Sequence, residues 1–227
     1  MNLKRITVTG LTLALGLAGL MGTANAATKA TTTSHYQLVT KKTTVGRVTI
    51  PANTRVYVTY FSKKNGQKYA TIELSTLRYQ IRHATTATYL KVRVNHNLKA
   101  VKSVAMDQLP VMWQPKTNVT DQGRQDQNAT IRFTSDGYVE YFKNDQATTK
   151  PTSSTKVTKS VAKGQTTYVY AKHNMLKLPD KKISNKRNYR YRLMVHFNGA
   201  QVADTNAALS YSVGSKRNLF YTLAGNA

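Results

Sequence analysis

Three times in this chain a run of alternating apolar and polar residues meets an Asn-Gly or Asp-Gly pair and then resumes. That pattern restricts the fold more than any other feature. A period of two puts successive side chains on opposite faces of a strand, and Asn, Asp and Gly tolerate the positive φ angles of the tight turns that join antiparallel strands. Residues 55–61 place Val56, Val58 and Tyr60 against Arg55, Tyr57 and Thr59, and Asn65-Gly66 leads into a second extended run over 67–74. Ser62-Lys63-Lys64 is read as lengthening that loop beyond two residues. Residues 130–133 and 138–142 flank Ser135-Asp136-Gly137, with Asp136 as a turn residue, and residues 189–197 and 200–203 flank Asn198-Gly199. Residues 89–94 alternate cleanly, with Leu90, Val92 and Val94 on one face. Val, Thr and Tyr dominate these stretches, as half-buried pleated surfaces prefer. The expected fold class is all-β.

A different pattern opens the chain. Lys4 and Arg5 precede an apolar run over 6–21, followed by Ala24-Asn25-Ala26 and Ala27. This is the charged, apolar and small-x-small succession of a secretory signal peptide, so residues 1–26 are expected to be cleaved and the product exported. No second apolar run follows, and the mature chain is expected to have no transmembrane segment. Lys and Arg number 34 against nine Asp and Glu, a formal charge of +25. Such a charge attracts polyanions. Export places them in an envelope or outside the cell, so intracellular nucleic acid is not the expected partner. Cysteine is absent, which excludes disulfides, thiol nucleophiles, thiolate metal sites and a lipid-modified cysteine anchor. A cysteine-free, basic export product fits a Gram-positive bacterium.

The chain divides into a flexible spacer at 27–34, a first β module at 35–106, a linker at 107–127 and a second β module at 128–227. The linker carries Pro110, Pro115 and the single tryptophan, Trp113, and its end is Gln-rich. Residues 148–160 read as a second linker or a long loop. An internal echo relates residues 46–58 to 155–170, each a Val-Thr strand, a small turn and a strand ending in Val and Tyr. A shorter echo relates 77–82 to 189–193.

The signal peptide, the absence of cysteine, a pI of about 10.3 and the run Val48-Thr49-Ile50-Pro51-Ala52-Asn53-Thr54-Arg55-Val56-Tyr57-Val58 resemble the secreted surface-layer-type and bacterial SH3-like cell-wall-binding proteins of lactic-acid bacteria. The resemblance covers residues 36–81 and, more loosely, 155–195. The chain departs from the pattern at 51–54, which replaces a Gly-containing turn, and in lacking a Gly-Trp pair. The resemblance implies two small antiparallel β-barrel or sandwich modules of SH3-like type, associated with the wall.

The candidate polyanion-binding residues are the dense basic groups: Lys41, Lys42 and Arg47; Lys63, Lys64 and Lys68; Lys181 and Lys182; and Lys186, Arg187, Arg190 and Arg192. Each lysine alone reads as a solvated surface charge, whereas the ensemble generates a field. Tyr189 and Tyr191 fall on the strand face opposite Arg190 and Arg192, which argues against a mixed aromatic and basic platform along that strand. The five histidines are isolated and lack metal-ligand spacing, and no cofactor is expected. Glycoside hydrolysis needs two placed carboxylates, and only Glu73 and Glu140 are glutamates. With no nucleophile elbow and no phosphate-binding glycine loop either, the chain is read as a non-enzyme. The expected function is noncovalent association with anionic wall polymers, teichoic or lipoteichoic acid. The alternatives are a cationic adhesin for host mucin, sulfated glycan or extracellular DNA, and, last, a glycan hydrolase.

Overall fold

In the computed structural model the described residues are 35–114, 129–143, 150–175, 181–185, 188–203 and 206–223. The expected leader, the spacer, linker residues 115–127, and Lys186 and Arg187 lie outside them. The chain is mostly β. No helix among the described residues is long and apolar enough to cross a membrane.

The first half contains β1 (Tyr36–Val39), β2 (Thr43–Val45), β3 (Val48–Ile50), β4 (Thr54–Lys64), β5 (Gln67–Glu73), β6 (Tyr89–Arg93) and β7 (Leu98–Ala100). Five of them form an antiparallel sheet in the order β6-β5-β4-β1-β7, while β2 and β3 make a separate hairpin between β1 and β4. A 3-10 turn (Leu74–Thr76) and the short helix α1 (Tyr79–Arg82) connect β5 to β6. The alternation read in β4 and β6 holds for Val56, Val58, Leu90 and Val92, which are buried with Val39, Ile50, Ile72, Leu77 and Ile81 in one core. It does not hold for Tyr60, which is turned outward because the register against β5 shifts between Val58 and Tyr60.

The second half begins with a 3-10 turn (Ala105–Gln108) and continues through β8 (Met112–Gln114), β9 (Ala129–Phe133), β10 (Tyr138–Phe142), β11 (Ser153–Lys163), β12 (Thr166–Ala171), β13 (Lys181–Lys182), β14 (Tyr191–Ala203), β15 (Asn206–Val213) and β16 (Leu219–Leu223). The order β12-β11-β10-β9-β8-β16-β15-β14, closed by pairing of β12 with β14, is an eight-stranded antiparallel barrel. Closure leaves no edge among those eight strands. Met112, Ile131, Val139, Val169, Leu193, Val195, Val213 and Phe220 lie in its core. The described residues belong to one compact unit.

Several local expectations change. Lys64 pairs directly with Gln67, so Ser62-Lys63-Lys64 belongs to β4 and the loop is the two-residue Asn65-Gly66 turn, with φ of 50° and 73°. Two residues of positive φ match the twist of the strands, so the longer loop has no purpose. Gly66 has open space around its α-carbon. Gly66→Ala is therefore expected to cost about 1–2 kcal/mol through backbone strain alone. A lowered urea midpoint with an unchanged spectrum would show it.

Asn198-Gly199 is not a turn. β14 runs straight through it, and the register against β15 shifts between Phe197 and Gly199, so the glycine serves a bulge. Of residues 148–160, read as linker or loop, 153–160 belong to β11 in the barrel wall, where Thr155 and Thr158 hydroxyls donate to the Asn174 and Tyr170 carbonyls. Trp113 is buried in β8, opposite Tyr221. The internal echoes have no structural counterpart. β11 pairs with β12, whereas β3 pairs with β2 and not with β4. Residues 79–82 are helical and 191–193 are strand.

Candidate polyanion-binding surface

The acids decide where the positive charge shows. Among the described residues they are Glu73, Asp107, Asp136 and Glu140, and three of these are buried against arginines of the first half. Arg55 pairs with Asp107, Arg78 with Asp136 and Arg82 with Glu140, each carboxylate side chain being about 1% exposed. Glu140 sits on β10. Its Oε1 accepts from the Tyr79 backbone N–H at 2.8 Å, and its Oε2 from Arg82 Nη1 at 2.6 Å. Asp136, in the β9–β10 turn, accepts the Arg78 N–H at 3.0 Å through Oδ1. Its Oδ2 lies 3.3 Å from Arg78 Nη1 without hydrogen-bond alignment. Burial pushes the Asp136 carboxyl above its ordinary value, opposed by the Thr134 hydroxyl and by Arg78. Glu73 accepts from the Ser75 hydroxyl at 2.6 Å. Both glutamates are thus engaged by neighbours within the protein.

Tyr36 stands beside the Arg55–Asp107 pair, with the guanidinium 4.2 Å from its ring centroid. Burial, then the Asp107 charge, push its phenol up to about 12 against the pull of Arg55. A group whose folded pKa exceeds its unfolded value stabilises fully below the unfolded value and ceases to do so as pH rises through the folded one. Stability is therefore expected to decline between about pH 10 and 12. Tyr36→Phe should flatten that decline, read from urea midpoints across the window.

The predicted basic residues occupy three hairpins. Lys41, Lys42 and Arg47 are exposed around the β2–β3 hairpin, whose two-residue turn is Gly46-Arg47. Lys63, Lys64 and Lys68 are exposed at the β4–β5 tip, where Lys63 lies directly opposite Lys68. Lys181, Lys182, Arg190 and Arg192 meet at β13 and β14, where Lys181 lies directly opposite Arg192. Like charges facing each other across strands are destabilising, and an anion between them removes that cost. The buried Arg190 Nε has no hydrogen-bond partner.

Register extends the last group into a row. Lys159 pairs with Tyr170, Tyr170 with Arg192, and Arg192 with Lys181. Four neighbouring strands thus place Lys159, Tyr170, Arg192 and Lys181 side by side on the outer face, spanning about 14 Å at the usual strand spacing. Arg192 lies 5.0 Å from the Tyr168 ring centroid, and Tyr189 meets Tyr170 edge-on at 6.1 Å. The mixed aromatic and basic platform that the pattern along one strand argued against is therefore built across strands. Sequence reasoning missed Lys159, Tyr168 and Tyr170, because nothing local to β11 or β12 announces their partners.

No family model, curated protein or solved structure matches this chain.

Proposed function

We propose that the chain is a secreted cationic protein that attaches noncovalently to anionic polymers of a Gram-positive cell wall, teichoic or lipoteichoic acid, and carries out no reaction. The observation that carries this reading is the fate of the acids. Three of the four described carboxylates are buried on arginines, so they screen none of the exposed lysines from an approaching polyanion. The opposed pairs Lys63–Lys68 and Lys181–Arg192 present adjacent cations where a phosphate can bridge them. The five-strand order β6-β5-β4-β1-β7, with a hairpin inserted between β1 and β4, supports the SH3-like reading of the first module. The surface-layer-type reading rests on the leader and the composition.

The test is rebinding to purified walls with and without teichoic acid, in dilute buffer. Loss of binding on the stripped walls is the expected result. Undiminished binding there would redirect the assignment to peptidoglycan.

A further inference from the structure

The outer face of β4, β5 and β6 is a second surface, which the basic groups above do not explain. Register lays it out as a grid. Tyr60, Thr71 and Lys91 form one row, Ser62, Tyr69 and Arg93 the next, and Glu73 and Tyr89 a third. Tyr60 and Tyr89 are 58% and 54% exposed, more than any other large apolar side chain among the described residues. The Lys91 ammonium lies 5.0 Å from the Tyr69 ring centroid. The hydroxyls of Thr71 and Ser62 are buried beneath this face and find no hydrogen-bond partner. Thr71 as a whole is only 5% exposed.

Edge protection accounts for part of this. β6 ends the sheet, and Lys91 and Arg93 discourage pairing with another chain. It does not account for two widely exposed tyrosines on different strands of one face. Phenol rings present an electron-rich face to the polarised C–H groups of a pyranose, while neighbouring cations complete its polar contacts. The single carboxylate on the grid, Glu73, already accepts from Ser75, so the face remains net positive.

We infer that this face binds the sugar substituents of a glycosylated phosphate polymer: Tyr60 and Tyr89 stack on hexose rings, and Lys91 and Arg93 hold the adjoining phosphates. The inference rests on the polyanion reading and adds to it the chemistry of the repeat unit. The backbone phosphates are read elsewhere, at opposed cation pairs that need no sugar.

The full mature chain is titrated with a glycerol-phosphate polymer bearing hexose, the same polymer without hexose, and a neutral hexose oligomer. The wild type is expected to bind the hexose-bearing polymer about tenfold more tightly than the bare one, as two stacked rings provide. Tyr60→Ala with Tyr89→Ala should erase that preference, leave affinity for the bare polymer unchanged, and leave the circular dichroism spectrum intact, since both rings are largely in solvent. Weak saturable binding of the neutral oligomer, lost in the same variant, adds support. Equal affinity of the wild type for both polymers overturns the inference and leaves the polyanion reading standing. So does a preference that survives the double substitution. A chain that ignores both polymers in dilute buffer overturns the polyanion reading and this inference with it.

Discussion

Glu140→Ala is expected to cost about 3–5 kcal/mol of folding stability, because it leaves the charge of Arg82 largely buried and unpaired. The Arg82 side chain is 13% exposed. The substitution also removes the carboxylate oxygen that accepts the Tyr79 N–H at the start of α1. Glu140→Gln should cost less, since an amide oxygen still serves that N–H. Glu140→Leu combined with Arg82→Met should recover much of the loss, as a buried ion pair exchanged for apolar packing often does. The form of the transition should change as well. All three buried ion pairs join an arginine of the first half to an acid at or beyond Asp107, and each half has a separate core. The sole tryptophan, Trp113, sits in β8 beside the barrel strands β9 and β16. In Glu140→Ala, tryptophan fluorescence and far-ultraviolet dichroism should therefore trace separate urea transitions. Coincident curves at an unchanged midpoint would refute the structural role given to Glu140.

That ion pair also shows what local pattern can and cannot carry. The strand character of β4, β6, β9 and β10, the inward faces of β6 and of β4 as far as Val58, and the turns at Asn65-Gly66 and Asp136-Gly137 were legible, because each depends on neighbours within a few residues. Tyr60 was not, since a register shift against β5 turns it outward. Asn198-Gly199 misled for an equally physical reason: positive φ suits a bulge as well as a turn, and only the partner strand decides between them. Residues 148–160 read as a linker or a long loop because their Thr, Ser and Lys content is polar, yet a barrel wall buries only one face of a strand such as β11. Nothing local to Glu140 marks its role, because its partner Arg82 lies 58 residues away. The site divides in the same way. Lys63 opposite Lys68 follows once the Asn65-Gly66 turn is placed. The row from Lys159 to Lys181 does not, since it depends on the register of four strands and on a shift between Val157 and Lys159.

The second large effect concerns that row. Binding of a linear polyanion releases its condensed counterions, and six to ten phosphate contacts cost roughly a thousandfold to a hundred-thousandfold in affinity between about 50 and 200 mM salt. A fall of that order is expected for the wild type on teichoic-acid-bearing walls. Lys159→Glu with Lys181→Glu, both exposed, should weaken binding in dilute buffer and lower the slope of log affinity against log salt by about two, one for each lost phosphate contact. Arg192 is left in place there, because its packing on Tyr168 would confound charge with stability. Lys41→Glu with Lys42→Glu makes the same change in net charge on the β2–β3 hairpin, where no register row forms. A larger loss from the first pair than from the second means that the polymer follows the row across the barrel. Equal losses would mean that total charge governs attachment and that the alignment of Lys159, Tyr170, Arg192 and Lys181 has no part in it.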